Sequence, residues 1–290
     1  MVDAASLPRC RAHSNSNCAL ARVERGDVGG EALSLFCRGI RITQSAVGDT
    51  RKLQVKQMRN KKAISTAEFD SYADQYEELL AHSIKISGEK PEYFAAYKAS
   101  YLARLVPPDV ERVLDYGCGI GMLSTQLKLQ FPNAQVDGFD PSPGSLARVH
   151  PALVAQGSFE SDPNSLSSTY DLIVMANALH HVKPEERQNL VSDVASRLAT
   201  DGRLVVFEHN PFNVLMQLAV AQCVFDEDAI LLRRKESAHY LHSVGLNTTS
   251  DYIVFFPRWL RWLRRLEPHL YWCPLGAQYV VVGTRPSDEG

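Results

Sequence analysis

The sequence predicts an α/β fold: a doubly wound, mostly parallel sheet with helices on both faces. Two observations carry this reading. Strand-like and helix-like stretches alternate from residue 112 to residue 207. Such alternation sets parallel strands beside crossover helices. At the first strand-to-helix junction stands V-L-D-Y-G-C-G-I-G, residues 113–121, with three glycines at alternate positions after an acid. Glycine weakens strands and helices, so three together mark a sharp turn or a close approach of backbone to ligand.

The elements run in this order. Phe69, Tyr72, Tyr76, Leu79 and Leu80 recur at helical steps from about residue 67. A second helix starts at Pro91, carries Tyr93, Tyr97, Tyr101 and Leu105 on one face, and ends at Pro107-Pro108. Strands are predicted at 112–116, 135–139, 152–155, 171–176 and 203–207, the last announced by the Asp201-Gly202 turn. Helices are predicted at 121–130, 143–149 and 185–198. A segment at 213–225 reads as helical, and a longer helix over 228–244 ends at Gly245. Residues 252–256 and 278–283 read as two final strands.

Hydrophobic content of 45% and charged content of 22% are ordinary for a globular chain. Charge is uneven: residues 1–62 carry a balance of +7 and residues 63–290 a balance of −9. An acidic body argues against nucleic-acid binding. Residues 1–57 are rich in Arg, Ser, Gly and Asn without periodicity, and are expected to be a disordered extension. An Arg-rich start also suits a transit peptide, and Met58 is a second candidate start of the natural chain. The six cysteines form no C-x-x-C pair, which predicts free thiols, no zinc site and a cytoplasmic location. There is neither a signal-peptide pattern nor an apolar run of membrane-spanning length.

A strand, a glycine bend and a helix together present backbone N–H groups to a ligand. Gly117 and Gly119 allow the close approach. Asp140, in V-D-G-F-D-P-S, lies 23 residues after Gly117, one strand–helix–strand unit on, where a ribose diol needs an acceptor. The spacing is G-x-G-x-G, with Met122 where a dinucleotide site would place glycine, which disfavours a dehydrogenase. Asp115, just before the bend, suits a ligand with an ammonium group better than a pyrophosphate.

V-L-D-Y-G-C-G-I-G, V-D-G-F-D-P-S, Y-D-L-I-V-M-A-N-A-L-H-H-V and D-G-R-L-V-V-F-E, in this order over about residues 110–208, resemble the motifs of class I S-adenosylmethionine-dependent methyltransferases. The last two strands resemble that family's antiparallel sixth and seventh. The resemblance implies a Rossmann-like sheet of seven strands with cap helices at 58–108, a cofactor domain at 109–290 and a substrate-side insertion at about 210–227. It implies that Gly117 and Gly119 meet the methionine part of S-adenosyl-L-methionine and that Asp140 holds the ribose. Asn177 would lie at the methionine end. Ser158 stands where an acid usually bonds the adenine amino group; Phe159 is placed to pack on the ring, and Glu160 is a substitute acid. Tyr72 and Tyr76 resemble the cap that closes over the cofactor.

Methyl transfer to oxygen needs a positioned nucleophile and usually a base. His181 and His180 follow the fourth strand; Glu208, His209 and Asn210 follow the fifth. His181, Glu208 and His209 are the candidate catalytic groups. Asp226 and Asp228 are read as substrate contacts or as helix-start acids, and no metal site is expected. The predicted function is methyl transfer, with oxygen the expected acceptor atom, onto a small-molecule or glycan/lipid-linked acceptor. The alternative is a catalytically silent binding subunit. The oligomeric state is left open.

Residues 258–267, R-W-L-R-W-L-R-R-L-E, place Trp259, Trp262, Leu263 and Leu266 on one arc of an α-helix and Arg258, Arg261, Arg264 and Arg265 on the other. The apolar arc is expected to cover the sheet or pocket. A helix lying on an anionic lipid surface is the second reading.

Overall fold

The computed structural model describes residues 76–167 and 169–286, all within the unit Lys61–Gly290. The expectations for residues 1–57, for Met58 and for Tyr72 lie outside the described residues.

Two helices come first, α1 (Tyr76–Ser83) and α2 (Pro91–Leu105), the second with Pro91 in its first turn. Next come β1 (Arg112–Tyr116), α3 (Met122–Gln130), β2 (Gln135–Phe139), α4 (Pro143–Leu146), α5 (Pro151–Val154) and β3 (Phe159–Glu160). After β4 (Tyr170–Ala176) stand α6 (Pro184–Ser196), β5 (Leu198–His209), α7 (Val214–Gln222) and α8 (Arg234–Ser243). The chain closes with β6 (Asn247–Ile253) and β7 (Gln278–Thr284). The seven strands form one sheet in the order β3-β2-β1-β4-β5-β7-β6. Pairings from β3 to β5 are parallel, while β7 is antiparallel to both β5 and β6. The predicted seven-stranded Rossmann-like sheet is therefore the observed one.

Central strands buried on both faces read as continuous apolar runs. In β4 the run Leu172–Met175 is wholly buried, as is Leu204–Phe207 in β5. One face packs on α6 and α8 through Leu114, Ile173, Val191, Val194, Val206 and Leu241. The other packs on α2 and α3 through Ala99, Leu102, Leu127, Val174, Val205 and Phe207. Asp137, the first acid of V-D-G-F-D, is buried in a polar knot. It accepts from Arg112 (3.0 Å), Gln135 (2.9 Å), the Ser158 backbone N–H (2.9 Å) and the Tyr170 hydroxyl (3.0 Å).

Four expectations need correction, the first being the strand expected at 252–256, which is β6, Asn247–Ile253, and breaks at Val254 with φ of 59°. Residues 152–155 are not a strand: Pro151 starts a short helix capped by the His150 ring, and β3 lies later, at Phe159–Glu160. The predicted helix over 228–244 begins only at Arg234. The Ile230 N–H donates to the His180 carbonyl (2.9 Å) and Arg187 donates to the Ile230 carbonyl (2.6 Å), so the chain there is drawn out toward other elements.

The fourth correction concerns the Trp-Arg segment. Arg258–His269 is 3₁₀ rather than α, with a kink at Leu260. Residues three apart then share a face. Arg258, Arg261, Arg264 and Glu267 line one side. Arg264 pairs with Glu89 (2.8 Å), donates to the Phe256 carbonyl (3.1 Å) and lies over the Tyr93 ring (4.5 Å). Trp259 and Trp262 stay 69% exposed, so the apolar side does not cover the sheet. Among the described residues no helix is long and apolar enough to cross a membrane.

Candidate active site

The strand order reverses between β1 and β4, and open α/β sheets place ligands at the carboxyl ends of the strands flanking that point. Here the glycine bend after β1 meets the end of β4. A Cβ on Gly117 would come within 2.9 Å of the Ala178 Cβ. Gly117, Gly119 and Gly121 have φ of 82°, 54° and 77°, and Asn177 has φ of 57°. Asn177 holds this uncommon conformation for a residue with a side chain because its N–H is bonded to the Phe207 carbonyl at 2.8 Å. Its buried Oδ1 has no hydrogen-bond partner among the described residues.

Asp140 fixes the bend from the neighbouring strand. Its Oδ2 accepts from the Gly119 N–H (2.8 Å) and its Oδ1 from the Ser142 N–H (2.9 Å). Asp115 is buried and accepts from the Ser124 hydroxyl at 2.7 Å. Burial lifts its carboxyl to about 6, opposed by that bond and by Lys98. Just before β3 the Ser158 hydroxyl donates to Glu160 (2.7 Å), which faces the same side two residues on. The Phe159 ring lies over Gly138, where a Cβ would meet it at 2.4 Å.

These residues fit S-adenosylmethionine. The bend has the room and the left-handed backbone of a cradle, with an orphaned amide oxygen at one end. A carboxylate stands one strand over for a diol, and at the sheet edge Ser158 and Glu160 face one side of β3 while Phe159 faces the other. Asp115, Gly117, Gly119, Asp140 and Asn177 are at or just beyond the carboxyl ends of β1, β2 and β4, while Ser158 and Phe159 stand at the start of the two-residue β3.

On the acceptor side, the end of β4 continues into a 3₁₀ turn, Leu179–His181, and β5 ends in Glu208-His209. Glu208 is wholly buried. One oxygen accepts from the Leu179 N–H (2.8 Å) and the other lies 2.6 Å from His180 Nδ1. His180 Nε2 is 3.3 Å from Asp226, and His181 Nε2 is 3.5 Å from the same carboxylate. His209 stacks on His180 with ring centroids 5.1 Å apart. Asp226 reaches the cluster from the insertion after β5, through the 3₁₀ turn Val224–Asp226. The longer helix begins eight residues later, at Arg234, so Asp226 does not start it.

Burial by itself would lower the His180 pKa, but Glu208 and Asp226 outweigh it and raise it to about 10. Burial would raise Glu208 and Asp226, yet the His180 charge holds both below the usual carboxylate range. Burial and the His180 cation keep His209 low, at about 4. The same two causes lower His181 to about 3, although 26% of its side chain meets water and moderates the burial part. At neutral pH the cluster is thus one imidazolium between two carboxylates, flanked by two neutral imidazoles.

The structure gives central places to His180 and Asp226, which sequence alone ranked behind His181, Glu208 and His209. Asn210 turns out to be a latch: buried, it donates to the Pro274 (3.0 Å) and Gly276 (2.7 Å) carbonyls. Lys98 was missed. Its ammonium lies 5.9 Å over the Phe207 ring, and burial lowers it to about 8 against the pull of Glu208 and Asp115. The signal was present, since Lys98 falls in register with Pro91, Ala95 and Leu102 on the buried face of α2.

The fold and this site define a protein built to hold a nucleoside cofactor beside a cluster of buried imidazoles and carboxylates. Residues 91–251 match the family model for a methyltransferase domain, and the chain belongs to that family, the class I S-adenosylmethionine-dependent methyltransferases. An uncharacterized methyltransferase of Staphylococcus carnosus (strain TM300) is 30% identical over 146 residues, 48% of this chain and 65% of the relative. A trans-aconitate 2-methyltransferase of Variovorax paradoxus (strain S110) is 31% identical over 133 residues, 43% of this chain and 51% of the relative. The chain thus spans between half and two thirds of the curated relatives it matches. The magnesium protoporphyrin IX methyltransferase of Synechocystis PCC 6803, solved with bound S-adenosylmethionine, superposes with a TM-score of 0.54 at 16% identity. That match covers 78% of this chain and 100% of the other, and likeness at this identity is one of fold.

Proposed function

We propose that the protein transfers a methyl group from S-adenosylmethionine to an oxygen of a small acceptor. The observation that carries this reading is the His180–Glu208–Asp226 cluster, with His181 and His209, at the same sheet end as the glycine cradle. When bound, the cofactor supplies an activated methyl group on a sulfonium. The chain's own part is to orient the acceptor and take its proton. His181, neutral and reaching solvent, is the proton acceptor; the His180 cation beside it keeps it a weak base, so it serves an acidic acceptor hydroxyl best. His180, locked as a cation between carboxylates, sets its position through Asp226, and His209 stacks on His180.

A methyl-release assay over hydroxy and carboxy acceptors tests this, read as S-adenosylhomocysteine formed. His181→Ala is expected to lower kcat by roughly 10²–10⁴-fold on the responsive acceptor, with S-adenosylhomocysteine binding retained. Undiminished turnover would remove His181 as the base. Cofactor binding without turnover on any acceptor would favour the silent binding subunit.

A lipid-borne acceptor is the second reading, and the exposed aromatic patch supports it. Trp259 and Trp262 are both 69% exposed, next in the chain to Arg258 and Arg261, and Arg265 follows three residues on. An adjoining groove of about 500 Å³ is lined by Lys90, Arg258, Arg261 and Arg264 with Glu89 and Glu92, and shares no residue with the imidazole cluster. Tryptophan beside arginine suits the boundary of an anionic bilayer. The protein is expected to pellet with phosphatidylglycerol vesicles more than with phosphatidylcholine vesicles. Trp259→Ala with Trp262→Ala should release it. Equal recovery in the supernatant with both lipids would remove this reading.

A further inference from the structure

We propose that His180, His209 and Asp226 form a binding site for a divalent transition-metal ion, which would hold the acceptor by its oxygen atoms. Each of the three offers a ligand atom, and these atoms all lie within 4.8 Å of one another. They come from three separate segments: the turn after β4, the end of β5, and the insertion after it. A local sequence pattern would not have joined them.

The wiring of His180 is the second observation. Its Nδ1 is 2.6 Å from Glu208, and Glu208 is fixed in turn by the Leu179 N–H. Histidines that ligate metals characteristically give their other ring N–H to a carboxylate, which fixes the tautomer and turns the free nitrogen to the ion. The His180 ring is 1% exposed, and its Nε2 has no aligned hydrogen-bond partner among the described residues, although Asp226 Oδ1 lies 3.3 Å away. In the metal-free chain this nitrogen bears the second proton of the His180 imidazolium, beside Asp226; an ion held by Asp226 and His209 would displace that proton and leave Nδ1–H on Glu208. Two imidazoles and one carboxylate favour manganese, iron, cobalt or zinc over magnesium or calcium, and leave coordination positions open.

This inference rests on the methyl-transfer reading for its consequence and narrows the acceptor. Open positions on such an ion suit a molecule with two adjacent oxygens, such as a vicinal diol, a catechol-like ring or a hydroxy acid.

The test uses the full chain, dialysed against chelator and then titrated with Co²⁺. The absorption bands of the bound ion give stoichiometry and geometry, with no turnover required. One equivalent per chain is expected, displaced by Zn²⁺. His209→Ala and Asp226→Asn should each weaken uptake by at least about 10–100-fold, the loss seen when even outer partners of metal ligands are removed. Calorimetry with S-adenosylhomocysteine on the same samples reports whether each variant is folded. Absence of stoichiometric uptake by the wild type would overturn the proposal, as would uptake unchanged in both folded variants. Metal uptake that depends on these residues in a chain that binds no S-adenosylhomocysteine would leave the metal site standing and remove the methyl-transfer reading.

Discussion

Asp140→Ala is expected to weaken S-adenosylhomocysteine binding by about 100-fold or more, read by calorimetry. Two effects add. Each carboxylate oxygen accepts a backbone N–H, one from Gly119 in the bend and one from Ser142 beyond β2. Hydrogen bonds to a charged acceptor contribute about 1.5–3 kcal/mol each. Loss of the carboxylate therefore loosens the bend and removes the acceptor for the ribose diol together, and each ~1.4 kcal/mol is tenfold in affinity. Asp140→Asn keeps one acceptor oxygen and should fall between wild type and alanine. Affinity unchanged in the alanine variant would mean that the cofactor does not use this strand end.

Glu208→Gln is expected to be the most destabilising single change at the site, by about 3–5 kcal/mol, the range found when one partner of a buried ion pair is removed. Glu208 and His180 have side chains only 1% exposed and lie 2.6 Å apart. Glutamine fills the space but leaves the imidazolium with Asp226 alone. The midpoint of guanidinium denaturation reads the loss. Glu186→Gln is the control, because its pair with Lys183 is exposed on both sides and such pairs contribute about 0–1 kcal/mol. Equal midpoints for the two variants would show that the Glu208–His180 pair does not support the fold.

Much of the fold was legible because its signals are local. Apolar runs bounded by turn residues placed β1, β2, β4 and β7 near their observed limits. Where a local rule failed, a distant contact had won. Residues 229–233 follow their bonds to His180 and Arg187 instead of continuing a helix. The Trp-Arg segment follows Arg264, which is held by Glu89 and Tyr93, and so turns its tryptophans outward. Residues 152–155 carry an apolar stretch too short to tell strand from helix, and Pro151 decided it.

The sequence by itself determined the α/β sheet, the glycine bend and the acid one strand on, because each depends on spacing within a single strand–helix–strand unit. Tertiary structure alone decided the imidazole–carboxylate cluster. His180, Glu208 and Asp226 lie on three segments. Only the parallel pairing of β4 with β5 and the return of the insertion join them, Glu208 at 2.6 Å from His180 and Asp226 at 3.3 Å. Their charge states are likewise a property of shared burial, since each would be an ordinary solvated group in the extended chain.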